Sequence, residues 1–408
     1  MKNRVVITGV GVASICGFGK NDFWDGILSG TSHFTKLTDP FYGENFEGQY
    51  GILDLSKRLA WEAKYLNEDE QSFAPCCRLA LATAMAAIED AGLTDRMDDV
   101  STERIGVSVG TTHGELCVIE DMVQQQGSIT VSDVQKHVNH FEIAAAIARR
   151  IHASGDVVLH SDACASGNIS ASYAFQMIRK GHLDRAIVGG ADVYSKLTEG
   201  GFSCIRALAY DKVKPFDRDR SGILLSEGAA MLVLENYEVA KKRGAHIYGE
   251  ILGQGQSNDA YHMAAMPPDG ICVVNAMRRS IIDAGIEKND IDYICLHGTG
   301  TVANDACEMK VLSDFFGERV SNLYASSIKG CLGHALGSAA ALELVACVLC
   351  LETGIIPPTL NVEHKDEKCT FQLVTEPTNA NPVLIMNSSY AFGGSNSCVI
   401  LGKEKGGV

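Results

Sequence analysis

Cys164 stands where a nucleophile would be well placed. The apolar run Asp156-Val-Val-Leu-His160 precedes it, and a largely apolar stretch over 168–180 with helical spacing follows it. This pattern predicts a strand-to-helix turn with Cys164 at its tip. The small neighbours in Ser161-Asp-Ala-Cys-Ala-Ser-Gly167 would let an acyl group approach, and free N–H groups at a helix start would favour the thiolate. Two interpretations stay open at this point, a nucleophile or a buried structural cysteine.

Two of the 12 histidines occupy glycine-rich loops that follow predicted strands. His297 begins the segment His297-Gly-Thr-Gly-Thr301, and His334 ends the segment Lys329-Gly-Cys-Leu-Gly-His334. A lone histidine is usually an ordinary polar residue, but functional residues of open α/β sheets lie at the carboxyl ends of strands. We therefore expect Cys164, His297 and His334 to lie at one edge of the sheet structure.

Strands and helices alternate along both halves of the chain. This rhythm predicts an α/β fold with mostly parallel sheets buried under helices. The pattern restarts near residue 245, which predicts a duplicated unit, with a half over 1–245 carrying the cysteine and a half over 246–408 carrying both histidines. Near the amino terminus, Val5–Gly9 is a predicted strand, and Gly9–Ser14 is a predicted glycine-rich turn. Ser14 replaces the third glycine of a dinucleotide fingerprint, so such a site is disfavoured.

Composition excludes several classes of function. The net charge of −15 leaves no basic stripe for nucleic acid. The 14 cysteines neither cluster nor follow a secreted spacing, which indicates reduced thiols and a cytoplasmic protein. We expect no membrane span, because no run approaches the length of about 18 apolar residues that a span needs. Cys347-Val-Leu-Cys350 has a metal-ligand spacing but lies in an apolar helix without a second pair, which favours core packing, and no metal site is predicted.

Taken together, the motifs resemble those of the β-ketoacyl-acyl-carrier-protein synthases, condensing enzymes of the thiolase superfamily. The most similar subgroup is synthase II with the type II polyketide ketosynthases. The resemblance covers the chain from Val5 to Ile400, in order, and rests on five segments: Asp162–Gly167, Phe216–Arg220 with Glu227–Ala230, His297–Thr301, Ser327–His334 and Phe392–Asn396. It implies a thiolase-like fold, with duplicated α/β/α halves that form a five-layered α-β-α-β-α core.

The resemblance also implies an activity. An acyl group on Cys164 would be condensed with a malonyl carrier thioester by decarboxylative Claisen chemistry, giving a 3-oxoacyl product. His297 and His334 would donate hydrogen bonds to the thioester oxygen that becomes negative. The backbone N–H groups of Cys164 and Phe392 would form a second oxyanion hole, and Phe392 would also act as a gate.

Several further implications concern supporting residues and partners. Lys329 would pair with Glu308 and fix the loop of His334, and Thr299 and Thr301 would support the site. No cofactor is implied beyond the phosphopantetheine arm of an acyl carrier protein. The expected partners are that carrier protein and a second subunit, either an identical copy or a ketosynthase-like paralogue.

Two alternatives remain open against the synthase. A chain-length-determining or non-elongating partner subunit would bind rather than catalyse, but such subunits typically lack the nucleophile. A thiolase would need a second cysteine near the carboxyl terminus, where this chain has Phe392-Gly-Gly and Cys398 falls outside the motif. The acyl chain and the pathway, whether fatty acid or secondary metabolite, are not determined by these residues.

Overall fold

The fold is an alternation of strands and helices over nearly the whole chain. A computed structural model describes residues 2–404 except 32, 38–47, 95–96, 98, 125–129, 133, 135–138 and 210. The strands are β1 Val5–Ser14, β2 Gly17–Phe18, β3 Thr35–Leu37, β4 Gly48–Tyr50, β5 Ile105–Gly110, β6 Val157–His160, β7 Arg185–Asp192, β8 Gly228–Asn236, β9 Gly249–Asn258, β10 Tyr293–Cys295, β11 Tyr324–Ser326, β12 Ile355–Ile356, β13 Gln372–Leu373, β14 Thr378–Asn379, β15 Leu384–Tyr390 and β16 Ser395–Gly402. The helices are α1 Lys20–Ser29, α2 Leu55–Tyr65, α3 Pro75–Asp90, α4 Leu116–Gln124, α5 Glu142–Arg150, α6 Ser166–Arg179, α7 Lys196–Cys204, α8 Tyr237–Lys242, α9 Ile271–Ala284, α10 Val302–Phe316, α11 Lys329–Leu332 and α12 Ala339–Thr353.

Most strands join one sheet in the order β13-β11-β10-β15-β16-β9-β1-β8-β7-β5-β6, with β2 added to β1. The pairs towards the two ends are parallel, as in β5–β7 and β10–β15, whereas β1 pairs antiparallel with both β8 and β9. The α/β prediction is confirmed, but the expectation of mostly parallel sheets is wrong. Antiparallel neighbours such as β15 and β16 need only a short connection, so no crossover helix is required at the centre.

Alternate residues of the strands face different helix layers. In β8, Ala230, Leu232 and Leu234 join the core that contains α6 and α12, while Ala229, Met231 and Val233 face α3 and α5. In β16, Val399 and Leu401 join the same central core, and Cys398 and Ile400 face α9 and α10. Helices α6 and α12 therefore lie between the two halves of the sheet, which yields five layers.

The expected glycine-rich turn at Gly9–Ser14 is wrong, because strand β1 continues through both glycines to Ser14. A Cβ on Gly9 would lie 2.3 Å from the carbonyl oxygen of Ala87, and one on Gly11 would lie 2.2 Å from that of Thr83. The glycines are needed because α3 packs directly against the strand.

The expectation that no run is long and apolar enough for a membrane span is wrong for the segment that contains α12. Leu336–Thr353 is 18 residues long with a mean hydropathy of 1.7, so its length and composition would suit a membrane span. However, 89 % of this segment is buried inside the protein. It is a core helix, and Cys347 and Cys350 are buried within it.

Candidate active site

Cys164 lies in a short turn, Ala163–Ala165, between β6 and α6, so the strand-turn-helix prediction is confirmed. Its side chain is 7 % exposed. The carbonyl oxygen of Cys164 accepts a 2.9 Å hydrogen bond from the Ser389 hydroxyl of β15. A Cβ on Gly167 would lie 2.5 Å from the backbone nitrogen of Ala341, so this glycine lets α6 and α12 meet directly beneath the cysteine. The turn is thereby held from both halves of the chain.

The structure brings His297 and His334 to Cys164. One ligand-type atom from each of the three side chains lies within 4.8 Å of the others. The two imidazole rings are nearly perpendicular, with centroids 5.5 Å apart. Both histidines are buried, His297 just after β10 and His334 just after α11.

Hydrogen bonds assign the tautomer of each imidazole. The Nδ1 atom of His334 accepts from the backbone N–H of Leu336 at 3.0 Å, so the ring proton of neutral His334 is on Nε2. The Nζ atom of Lys329 lies 3.4 Å from Nδ1 of His297 and donates to the His297 carbonyl oxygen at 2.7 Å. An ammonium group can only donate, so Nδ1 of His297 is also an acceptor. Each ring therefore presents an Nε2–H donor.

Burial keeps both imidazoles neutral. It lowers the pKa of His334 to about 3, with Lys329 as the second cause. The pKa of His297 lies well below its ordinary value because of burial, then Lys329, then His334. At neutral pH the site therefore holds two uncharged donors, which suits the stabilisation of a developing oxyanion.

Lys329 is not paired as expected. Among the described residues, its ion-pair partner is Glu343 of α12, and both side chains are buried. Glu308 instead accepts hydrogen bonds from the backbone N–H groups of His297 and Gly298, both at 2.8 Å. The expected Lys329–Glu308 pair is wrong because α12 passes on the lysine side of the His297 loop, whereas Glu308 reaches its backbone from α10. Glu308 thus fixes the loop of His297.

Burial also decides the state of the Cys164 sulfur. It raises the pKa of the thiol to about 12, although Lys329 and the backbone N–H groups of Cys164 and Phe392 act to lower it. The expectation that the helix start favours the thiolate over the thiol is therefore wrong, because burial outweighs the effect of the N–H groups. The same two N–H groups do reach the sulfur, which places them where an oxyanion formed on an attached acyl group would lie.

Phe392 borders the approach to the cysteine. Its side chain is 42 % exposed and stacks on Phe202 of α7, with ring centroids 5.6 Å apart. The two residues that follow it, Gly393 and Gly394, have φ values of 81° and 82°, which glycine adopts without strain. The loop can therefore turn sharply beside the site.

A cavity of about 120 Å³ opens above these residues. Thr299 and Thr301 line it with Cys164 and the two histidines, and their hydroxyl oxygens are 2.9 Å apart. Thr301 also caps α10 by accepting from the backbone N–H of Asn304 at 3.3 Å. The walls formed by Phe202 and Ile223 are apolar, so the cavity suits an acyl chain near the sulfur.

The same three side chains could in principle ligate a metal, since zinc binds cysteine and histidine. The Lys329 cation beside the histidines disfavours a second positive charge at this position. The set therefore fits acyl chemistry better than a resident metal.

Comparison with known proteins identifies the family. The N-terminal domain of beta-ketoacyl synthases matches residues 2–240, and the C-terminal domain matches residues 248–363. The 3-oxoacyl-[acyl-carrier-protein] synthase 2 of Coxiella burnetii is 35 % identical, over 98 % of this chain and 99 % of its own length. The ketoacyl synthase alpha subunit of the tetracenomycin polyketide synthase of Streptomyces glaucescens is 32 % identical, over 99 % of this chain and 98 % of its own.

Solved structures agree with these relatives. The ishigamide ketosynthase/chain length factor is 34 % identical with a TM-score of 0.90, and the type II polyketide ketosynthase AntDE, in complex with its acyl-carrier protein, is 28 % identical with a TM-score of 0.89. Each comparison covers 99 % of this chain and 100 % of the other. The expected thiolase-like fold is confirmed, and the chain belongs to the β-ketoacyl synthase family of condensing enzymes.

Proposed function

We propose that this protein is a 3-oxoacyl-[acyl-carrier-protein] synthase that condenses a malonyl unit with an acyl group held on Cys164. The observation that carries the proposal is the convergence of the Cys164 sulfur with two neutral imidazoles, His297 and His334, that both present Nε2–H donors. The intact nucleophile favours a catalytic subunit over a non-elongating partner subunit.

The first half-reaction is acyl transfer. The Cys164 sulfur attacks the carbonyl carbon of an acyl thioester, and the carrier thiolate leaves and takes up the proton that the cysteine thiol gives up. The backbone N–H groups of Cys164 and Phe392 stabilise the tetrahedral oxyanion, and movement of Phe392 admits the chain. The Lys329 cation and the same N–H groups help the buried sulfur to ionise during attack.

The second half-reaction is decarboxylative condensation. Loss of CO₂ from the malonyl thioester places negative charge on its thioester oxygen, which accepts hydrogen bonds from His297 and His334. Each such donor is worth roughly 3–4 kcal/mol of barrier. The resulting carbanion attacks the acyl-Cys164 carbonyl, the C–S bond breaks, and the Cys164 thiolate takes up a proton from water. Glu308 supports His297 through the loop backbone, and Thr299 and Thr301 border the approach.

Partners and organisation belong to the same proposal. We assign acyl carrier protein as the donor of both substrates, through its phosphopantetheine arm, and no other cofactor. The ketosynthase structures described with an acyl-carrier protein and with a chain length factor support that carrier and a ketosynthase-like second subunit, with an identical copy as the alternative. We place the protein in the cytoplasm and divide it into halves over 1–245 and 246–408.

Intact-protein mass spectrometry tests the reaction. The purified chain is mixed with acyl-carrier thioesters of several lengths and then with malonyl-carrier, with Cys164→Ala as the control. An acyl adduct that is absent from the variant and is discharged to a 3-oxoacyl product is the expected result. Absence of any adduct, with or without a co-expressed ketosynthase-like subunit, would overturn the proposal.

A further inference from the structure

Helix α7 has an inverted pattern of burial. Its fully buried residue is Glu199, which is 0 % exposed, whereas Leu197 and the following Ile205 are 58 % and 52 % exposed. Within the described chain, neither carboxyl oxygen of Glu199 has a hydrogen-bond partner. Burial of an unpartnered carboxyl group costs free energy, so a helix that only had to pack would expose Glu199 and bury Leu197. The inversion calls for a functional explanation.

The position of Glu199 links it to the site. Phe202, three residues later on α7, lines the cavity at Cys164 and stacks on Phe392. Residues three apart lie on the same face of a helix, about 5–6 Å apart. Glu199 therefore lies on the same face of α7 as Phe202, one helical turn before it and behind the residues that line the cavity.

Tyr50 of β4 provides a second unpartnered group in the same region. It is fully buried, and its phenol oxygen has no hydrogen-bond partner among the described residues. Tyr50 packs with Ile223 and Phe202, both of which line the cavity. Burial raises the pKa of the phenol well above its ordinary value, and the charges of Glu227 and Glu199 add to this effect. Glu199 and Tyr50 therefore lie close enough to interact electrostatically behind one apolar wall.

The protonation of these groups restricts the ligand chemistry. Burial raises the pKa of Glu199 to about 7, so a large fraction of the carboxyl is neutral at physiological pH. A neutral carboxyl and a phenol can each donate and accept a hydrogen bond. They suit an uncharged oxygen, such as a hydroxyl or carbonyl group, better than a hydrocarbon end.

We propose that Glu199 and Tyr50 form a subsite for an oxygen atom on the distal part of the acyl chain carried by Cys164. Acyl chains with a hydroxyl or oxo group at that depth would then be preferred over hydrocarbon chains of equal length. This inference rests on the proposed function, because it assumes that the cavity receives an acyl chain.

Paired thioesters test the preference. Acyl-pantetheine thioesters of 6, 8, 10 and 12 carbons, each with and without a terminal hydroxyl, compete for the protein, and the Cys164 adducts are weighed. At the length that reaches the subsite, we expect the hydroxylated chain to be favoured roughly five- to tenfold, the value of one hydrogen bond. Glu199→Leu removes the preference and Tyr50→Phe reduces it, whereas Glu199→Gln, which still donates and accepts, retains it. The exposed Ser203→Ala on the same helix serves as the control and leaves the preference unchanged.

A binding measurement separates this inference from the proposed function. Amide analogues of the same pairs cannot acylate Cys164, and their affinities are measured by calorimetry on the wild type and on Glu199→Leu. An affinity ratio of one at every length, or a ratio that Glu199→Leu leaves intact, would overturn the inference even if acylation succeeds. A hydroxyl preference in binding without any adduct would support the subsite and count against the synthase. Thermal unfolding verifies that Glu199→Leu is folded, and its midpoint should not fall, because an unpartnered buried carboxyl is removed.

Discussion

Replacement of Lys329 by methionine tests whether this cation sets the hydrogen-bonding state of His297. Its Nζ atom lies 3.4 Å from Nδ1 of His297, which keeps Nδ1 an acceptor and the proton on Nε2. The cation also lowers the pKa of His297. Without it, we expect the proton of His297 to move to Nδ1, so that the Nε2–H donor is lost. We expect malonyl decarboxylation to fall about 10²–10³-fold, the cost of one lost oxyanion donor, or about 2.7–4 kcal/mol.

Lys329→Met alone should also lower the free energy of unfolding, because it leaves the Glu343 carboxylate buried without its cation. Removal of one partner of a buried ion pair costs about 3–5 kcal/mol. Burial already raises the pKa of Glu343 to about 7, so the carboxyl can take up a proton, and we expect the lower end of that range. The double variant Lys329→Met/Glu343→Leu removes the unpaired acid and should recover most of the stability, since apolar replacements of buried pairs are often neutral.

The assay follows CO₂ released from malonyl-carrier in a Cys164→Ala background, which isolates decarboxylation from acyl transfer. Urea unfolding is measured on the same proteins. We expect the single and double Lys329 variants to be equally slow, while only the double variant is near wild-type stability. If the double variant also regained the decarboxylation rate, Lys329 would act through packing alone and the reasoning about the tautomer would be refuted.

Three further predictions follow from pKa shifts and packing. Burial lowers the pKa of His334 to about 3 in the folded state, against about 6.5 in the unfolded state, so the unfolded state takes up a proton at higher pH. The free energy of unfolding should therefore fall by at most about 5 kcal/mol as the pH drops from about 6.5 towards 3. Urea unfolding at a series of pH values should show a smaller fall for His334→Gln. Gly11→Ala should lower the melting temperature strongly, because its Cβ would lie 2.2 Å from a carbonyl oxygen, whereas Gly201→Ala in open space on α7 should not; equal midpoints would contradict this packing argument. EDTA should leave the enzyme fully active, because the Lys329 cation disfavours a resident metal beside the two histidines; loss of activity in EDTA would indicate a resident metal.

Local pattern was sufficient to predict the elements around the site. The strand before Cys164 and the helix after it follow from an apolar run, small residues and helical periodicity, all within 25 positions. The loops of His297 and His334 were marked by glycines after short apolar strands. These signals are local, so they can be identified without knowledge of the three-dimensional packing.

Features set by packing could not be derived in this way. The partner of Lys329 depends on which helix passes beside it, and Glu343 gives only a weak signal, a single acid in an apolar helix. The glycines of β1 resemble those of a turn, and only the approach of α3 shows that they belong to a strand. The state of the Cys164 thiol depends on a balance of burial against Lys329 and two N–H groups, and the result needs the buried geometry.

The buried ion pair explains how the site combines neutral donors with a nucleophile. An imidazole that changed tautomer would lose its Nε2–H donor. The neutral imidazole beside it would do little to prevent its protonation. The Lys329 cation lowers the pKa of both imidazoles and also acts to lower that of the Cys164 thiol. Glu343 offsets the cost of burying that cation without contacting the reacting atoms. One buried charge can therefore serve both half-reactions, which is why its loss should slow decarboxylation and acyl transfer together.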